Sequence, residues 1–253
     1  MKGDFTRATF AAHKHYSRVL FQQGRVTLDA DPNEQTEILL HYLRTLARDL
    51  LGPHAGPAQN LGFEISVQDG RVHIGAGRYY VDGMLVEIDT PCFYDQQPHF
   101  ALPADDPLAG EQGTRLEGRT LRFYLDVWER HVTAIDDDHI REVALNGPDT
   151  ATRSQVVWQV RALEVDAGDG EDADGNRVCS LDGLGLVTLS DVRLAARVDP
   201  GLRIENPCVT PPDARFRGAE NQLYRVEIHR GGAAGAATFK WSRDNGSVAA
   251  RWL

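Results

Sequence analysis

The sequence predicts a mainly β fold with one long N-terminal α-helix and an antiparallel body of sandwich or barrel type. Three observations predict it: one capped, leucine-striped segment near the N-terminus, two Asp-Gly pairs flanked by short β-rich runs, and two later stretches of apolar alternation. The 253 residues are ample for a packed core, and the natural division is an arm with its helix over residues 1–61 followed by a β-rich body over 62–253.

Residues 1–28 carry Phe5, Phe10, Tyr16 and Phe21 without a sustained period, which reads as an extended arm with one or two short strands near residues 19–21 and 25–28. A helix is expected from Pro32 to about Leu51: Asp31 stands as N-cap, Pro32 at the first helical position and Glu34 three residues past the cap, and Gly52-Pro53 ends it. Leu39, Leu43, Leu46 and Leu50 recur at spacings of 4, 3 and 4. That stripe either packs on its own domain or forms a helix seam between subunits.

From residue 62 onward the pattern changes to strands. Residues 63–68 and 71–74 flank Asp69-Gly70, and residues 78–81 and 84–88 flank Asp82-Gly83, so two hairpins with two-residue loops are expected, joined as a meander. Residues 91–118, with several prolines, read as a long surface loop. Leu121, Phe123, Leu125 and Val127 alternate with polar and amphipathic residues, and Val156, Trp158, Val160 and Ala162 repeat the pattern. Further strands are expected at 185–198, 223–229, 238–243 and 247–252, with a Pro-rich connection at 200–212. The last hairpin breaks off at the final residue, which suggests that the natural chain continues.

Composition narrows the function classes. The formal charge is −10, against a general nucleic-acid binder, which needs a clustered basic surface. No window reaches the ~18 apolar residues of a membrane helix, and the N-terminus lacks a signal-peptide core, so synthesis in the cytoplasm is expected. Cys92, Cys179 and Cys208 are widely spaced, which fits reduced, inert thiols.

Four candidate chemical sites stand beside blander readings. The acidic stretch 166–176 resembles a calcium loop but has Gly170 where the first carboxylate belongs and lacks the distal Glu, so a solvated loop is favoured. Asp136, Asp137, Asp138 and His139 form either an exposed loop or a divalent-ion site. His13 and His15 are two ligands where a closed zinc site needs four. Tyr79, Tyr80, Tyr124 and Trp128 would serve a carbohydrate-binding module, and the carboxylates near Asp136 an unrecognised hydrolase. No catalytic residues, cofactor or metal are assigned.

Three stretches carry a resemblance: Met1 to Arg7 with His15 to Asp31 and Asn33-Glu34-Gln35; Tyr124 to His131 with Glu142 to Arg153; and Phe239 to Ser247. They resemble a bacterial domain family whose members often form the N-terminal part of longer proteins. Some of these carry right-handed β-helix regions, and they occur in gene clusters for phage-tail-like contractile injection systems. Pro32 departs from that pattern, which has Trp there. The resemblance implies a structural, non-enzymatic component that attaches a fibre- or spike-like protein to a baseplate. Its partners would be baseplate or spike proteins, further copies of itself and, through a distal region, a target-cell surface. The particle would act in the cytoplasm or after release. The expected assembly surface comprises Phe5, Phe10, His15, Tyr16, Phe21, Gln22, Gln23 and Arg25 of the arm, with Leu39, Leu43, Leu46 and Leu50 of the helix.

Overall fold

The structure, a computed structural model, describes residues 5, 7–103, 106–109, 116, 118–165, 224–243 and 246–251. The chain divides into two units, residues 1–165 with 223–253 and residues 166–222, and only the first falls within the described residues. The acidic stretch 166–176, Cys179, Cys208, the expected strand at 185–198 and the connection at 200–212 all lie outside them.

The described unit is mainly β around one N-terminal helix, built from several small antiparallel sheets with no closed barrel among the described residues. Helix α1 spans Ala30–Leu51. It begins two residues before Pro32 and makes no capping box. Asp29 occupies the N-cap without a side-chain bond, Asp31 accepts from the Leu28 amide at 3.3 Å, and Glu34 is drawn away to the Thr9 hydroxyl at 2.6 Å. Pro32 is tolerated because the first helical turn needs no amide donor there. The arm forms no strand among its described residues; it contains a 3₁₀ turn at Ala12–Lys14 and lies largely exposed.

Strands β1 (His54–Ala55), β4 (Gly77–Val81) and β5 (Met84–Ile88) form one sheet, in the order β1-β4-β5. Strands β2 (Ile65–Gln68), β3 (Arg71–Ile74) and β6 (Cys92–Phe93) form another, in the order β2-β3-β6. Both predicted hairpins are present, with Asp69 and Gly70 at φ 51° and 76° and Asp82 and Gly83 at φ 50° and 78°. Those left-handed pairs are what a two-residue loop between right-twisted strands requires. The expected meander is not present, because the hairpins belong to separate sheets, with Gly77 at φ 139° where the second begins.

Strands β7 (Leu121–Val132) and β8 (Arg153–Glu164) pair antiparallel along their whole length. The face of β8 bearing Trp158, Val160 and Ala162 meets Val72, Ile74, Val86, Ile88, Tyr94 and Leu108, joining three sheets in one core. The Trp158 indole donates to the Glu87 carbonyl at 3.0 Å. The stretch 91–118 is more than a surface loop. Tyr94 and Leu108 enter the core, the Tyr94 hydroxyl donates to Asp106 at 2.8 Å, and Gln97 closes the free edge of β8. Its side chain accepts from the Val160 amide at 2.7 Å and donates to the Val160 carbonyl at 2.9 Å, as a strand would. Cys92 is a free, half-buried thiol.

Strands β9 (Arg225–Arg230), β10 (Thr238–Ser242) and β11 (Val248–Arg251) form a sheet with β10 in the centre.

Candidate functional site

Two elements of this unit are turned inside out. In α1 two arginines tie the helix to the body through ion pairs. Arg44 Nη2 donates to Glu129 Oε1 on β7 at 2.7 Å, and Arg48 Nε lies 3.0 Å from Asp82 in the β4–β5 turn. The hydrogen bond from Arg44, partly offset by burial, holds the Glu129 carboxyl below its ordinary range. Gly83 passes directly under the Arg44 carbonyl, where any Cβ would collide with it. Only Ala30 and Ile38 of the helix are buried.

The leucine stripe lies on the opposite side. Leu39, Leu43, Leu46 and Leu50 are 51, 57, 42 and 75% exposed, with Tyr42 beside them at 64%. At 100° per residue the four leucines fall within one narrow sector, roughly opposite the Arg44 and Arg48 side. Packing of the stripe on its own domain therefore does not occur among the described residues.

The sheet β9-β10-β11 is inverted in the same sense. Lys240 and Ser242 of β10 are buried while Trp241 is exposed, and Arg225, Glu227 and His229 of β9 alternate inward against outward Val226 and Ile228. Strand pairing sets Val226, Trp241 and Val248 in one row across the three strands, all exposed.

The inward row of this sheet meets the end of β7 through charge. Lys240, 2% exposed, donates to Asp136 Oδ2 at 2.9 Å, with Glu227 at 3.5 Å. Asp136 Oδ2 also accepts from the amide and hydroxyl of Thr133, both at 3.0 Å, and Oδ1 accepts from Arg130 at 3.0 Å. Burial alone would push the Asp136 carboxyl up. The Thr133 amide and Lys240 outweigh it and hold the group at about 2. Beside this network His131 is buried, and neither ring nitrogen has a hydrogen-bond partner among the described residues. Burial, then Arg225 and Lys240, push its pKa down against the pull of Glu227 and Asp136. Phe5 covers it edge-on at 5.1 Å.

The expected assembly residues of the arm lie where they are reachable. Phe5 stands on His131, and Phe10 is half-buried against His41 at 5.5 Å. His15 takes a left-handed conformation at φ 54°, and Tyr16, Phe21, Gln22, Gln23 and Arg25 are exposed. The arm is held to α1 by the Thr9–Glu34 bond and by the Val19 amide on Gln35 at 2.8 Å.

The carboxylates of 136–138 do not converge. Asp136 turns inward, Asp137 accepts from the His139 amide and Asp138 pairs with Arg141, and no group of metal-ligating side chains forms among the described residues. The four aromatics named above are all part-buried. Tyr79 bonds His54 at 3.0 Å, Tyr124 sits under Arg161, and Trp128 packs on Phe100. Sequence reasoning missed Lys240; the signal was a lysine between Phe239 and Trp241 in a chain whose other lysines are Lys2 and Lys14 alone.

An arm, one helix with an exposed apolar stripe and several small antiparallel sheets define a mainly β domain. The chain belongs to the Family of unknown function (DUF6519), whose profile matches residues 1–181 and 185–251. No curated protein and no solved structure matches it.

Proposed function

We propose that this chain is a structural component of a phage-tail-like contractile injection particle, serving to attach a fibre- or spike-like protein to the baseplate. The observation that supports an assembly role is the inversion of α1 and of the β9-β10-β11 sheet. Both spend their polar sides on ion pairs within the unit, half-exposed in α1 and buried under the sheet, and turn apolar side chains outward, an arrangement costly for a protein that works alone. The resemblance of the arm, of residues 124–131 with 142–153 and of residues 239–247 supports the particular particle. In this reading the arm residues Phe5 to Arg25 and the leucines of α1 contact baseplate neighbours or further copies of the chain. An assembly part of this kind needs neither cofactor nor catalytic group.

The test is sedimentation of native particles. The chain should travel with large tubular assemblies, and removal of residues 1–28 should release it. Recovery only as a free small species would sink the reading.

A further inference from the structure

We propose that α1 pairs antiparallel with α1 of a second copy of this chain, through the stripe Leu39, Leu43, Leu46 and Leu50. The stripe is bounded on both sides. Toward the N-terminus the arm crosses α1 where the Val19 amide bonds Gln35, and toward the C-terminus the helix ends at Gly52. Between these limits the exposed apolar side chains form one uninterrupted seam.

Three features single out a second copy as the occupant. The 4-3-4 spacing is that of coiled-coil core positions, whose knobs fit a helix carrying the same spacing. The stripe is also a palindrome: under a two-fold axis between Leu43 and Leu46, Leu39 faces the other copy's Leu50 and Leu43 its Leu46, so each leucine meets a leucine. The flanks agree with that direction. Leu40 on one side faces Ala47, a large residue against a small one, and Tyr42 on the other faces Asp49, a hydroxyl donor against a carboxylate acceptor. Opposed helix dipoles favour the same orientation.

The size fits as well. Leu39, Tyr42, Leu43, Leu46 and Leu50 together expose on the order of 600 Å², the upper limit for the largest apolar patch of an ordinary monomer. That is most of the ~800 Å² that each partner covers in a standard interface. Pairing would not require α1 to leave the body, because Arg44 and Arg48 hold it from the other side.

The pairing rests on the reading of α1 as an assembly surface. Because it is tested on the purified full chain, its failure and the failure of particle attachment are separately visible. Analytical ultracentrifugation at tens of micromolar should show a dimer, and Leu43→Glu with Leu46→Glu should return a monomer with unchanged circular dichroism, since both leucines are already exposed in the single chain. Oxidising a mixture of Leu39→Cys and Leu50→Cys chains should give a linked heterodimer absent from the parent chain. Leu39→Cys alone should not link to itself, because in the antiparallel seam the two positions stand about 16 Å apart along the axis. A monomeric parent chain, a dimer that survives the double glutamate change, or self-linking of Leu39→Cys would each overturn the proposal.

Discussion

A single buried lysine shows how charge is used inside this protein. Lys240 and Asp136 are 104 residues apart in sequence and meet at 2.9 Å with almost no exposure. Removing one member of a buried pair strands the other, so Asp136→Ala should cost about 3 kcal/mol in chemical denaturation, the low end for such a loss because Glu227 remains near Lys240. Replacing both by apolar residues should recover much of it; a double variant as weak as the single one would contradict this account. The pH dependence has a definite sign. The Asp136 carboxyl is depressed from 3.8 to about 2, so its contribution is complete above about pH 4 and is lost as pH falls toward 2. His131 and His229 are also depressed, so burial favours the neutral rings, and the stability they permit is complete above the ordinary histidine range and falls as pH drops below it. The groups facing His131 are Arg225 and Glu227 of β9, Lys240 of β10, and Asp136, with Phe5 from the arm. His131→Phe should therefore flatten the decline of the unfolding midpoint between pH 7 and 5, and an unchanged slope would remove His131 from the explanation. The sequence placed Asp136 in a short acidic run. Lys240 stood out on its own strand, but nothing local tied it to that run, because the two lie 104 residues apart.

At the scale of elements, legibility followed local chemistry. Both Asp-Gly hairpins were readable because their turn conformation is set by two residues, and the β7 and β8 faces were readable because alternation over many residues leaves one register. The start of α1 was misplaced because Glu34, expected to cap the helix, is claimed by Thr9 of the arm. Tyr94, Gln97 and Leu108 were hidden in a proline-rich stretch, since isolated buried residues have no period to betray them. Gln97 is the clearest case, one side chain standing in for a strand. Gln97→Ala would leave the amide and carbonyl of buried Val160 without partners, and should cost roughly 2 kcal/mol in denaturant unfolding. A loss below a few tenths would mean that water takes over both bonds. The inverted β9 and β10 were read as strands correctly, but the direction of their faces was not readable: apolar residues at alternate positions say that a strand has two sides, not which side meets the protein.

Across the whole described unit, the mainly β class with its one helix was legible, and so was the stripe on α1. What the sequence left open was whether that stripe closes on its own domain, and the ion pairs on the other side of the helix decide it. The two sides of α1 consequently answer to ionic strength in opposite ways. The half-exposed Arg44–Glu129 and Arg48–Asp82 pairs are screened within ~10 Å at 0.1 M salt, while a leucine seam is indifferent to added salt or tightened by salting-out ions. On the proposed pairing, dilute buffer would favour the grip of α1 on its own body and concentrated sulfate its grip on a second copy, which would make the helix a coupling whose stiffness is set by the surrounding electrolyte.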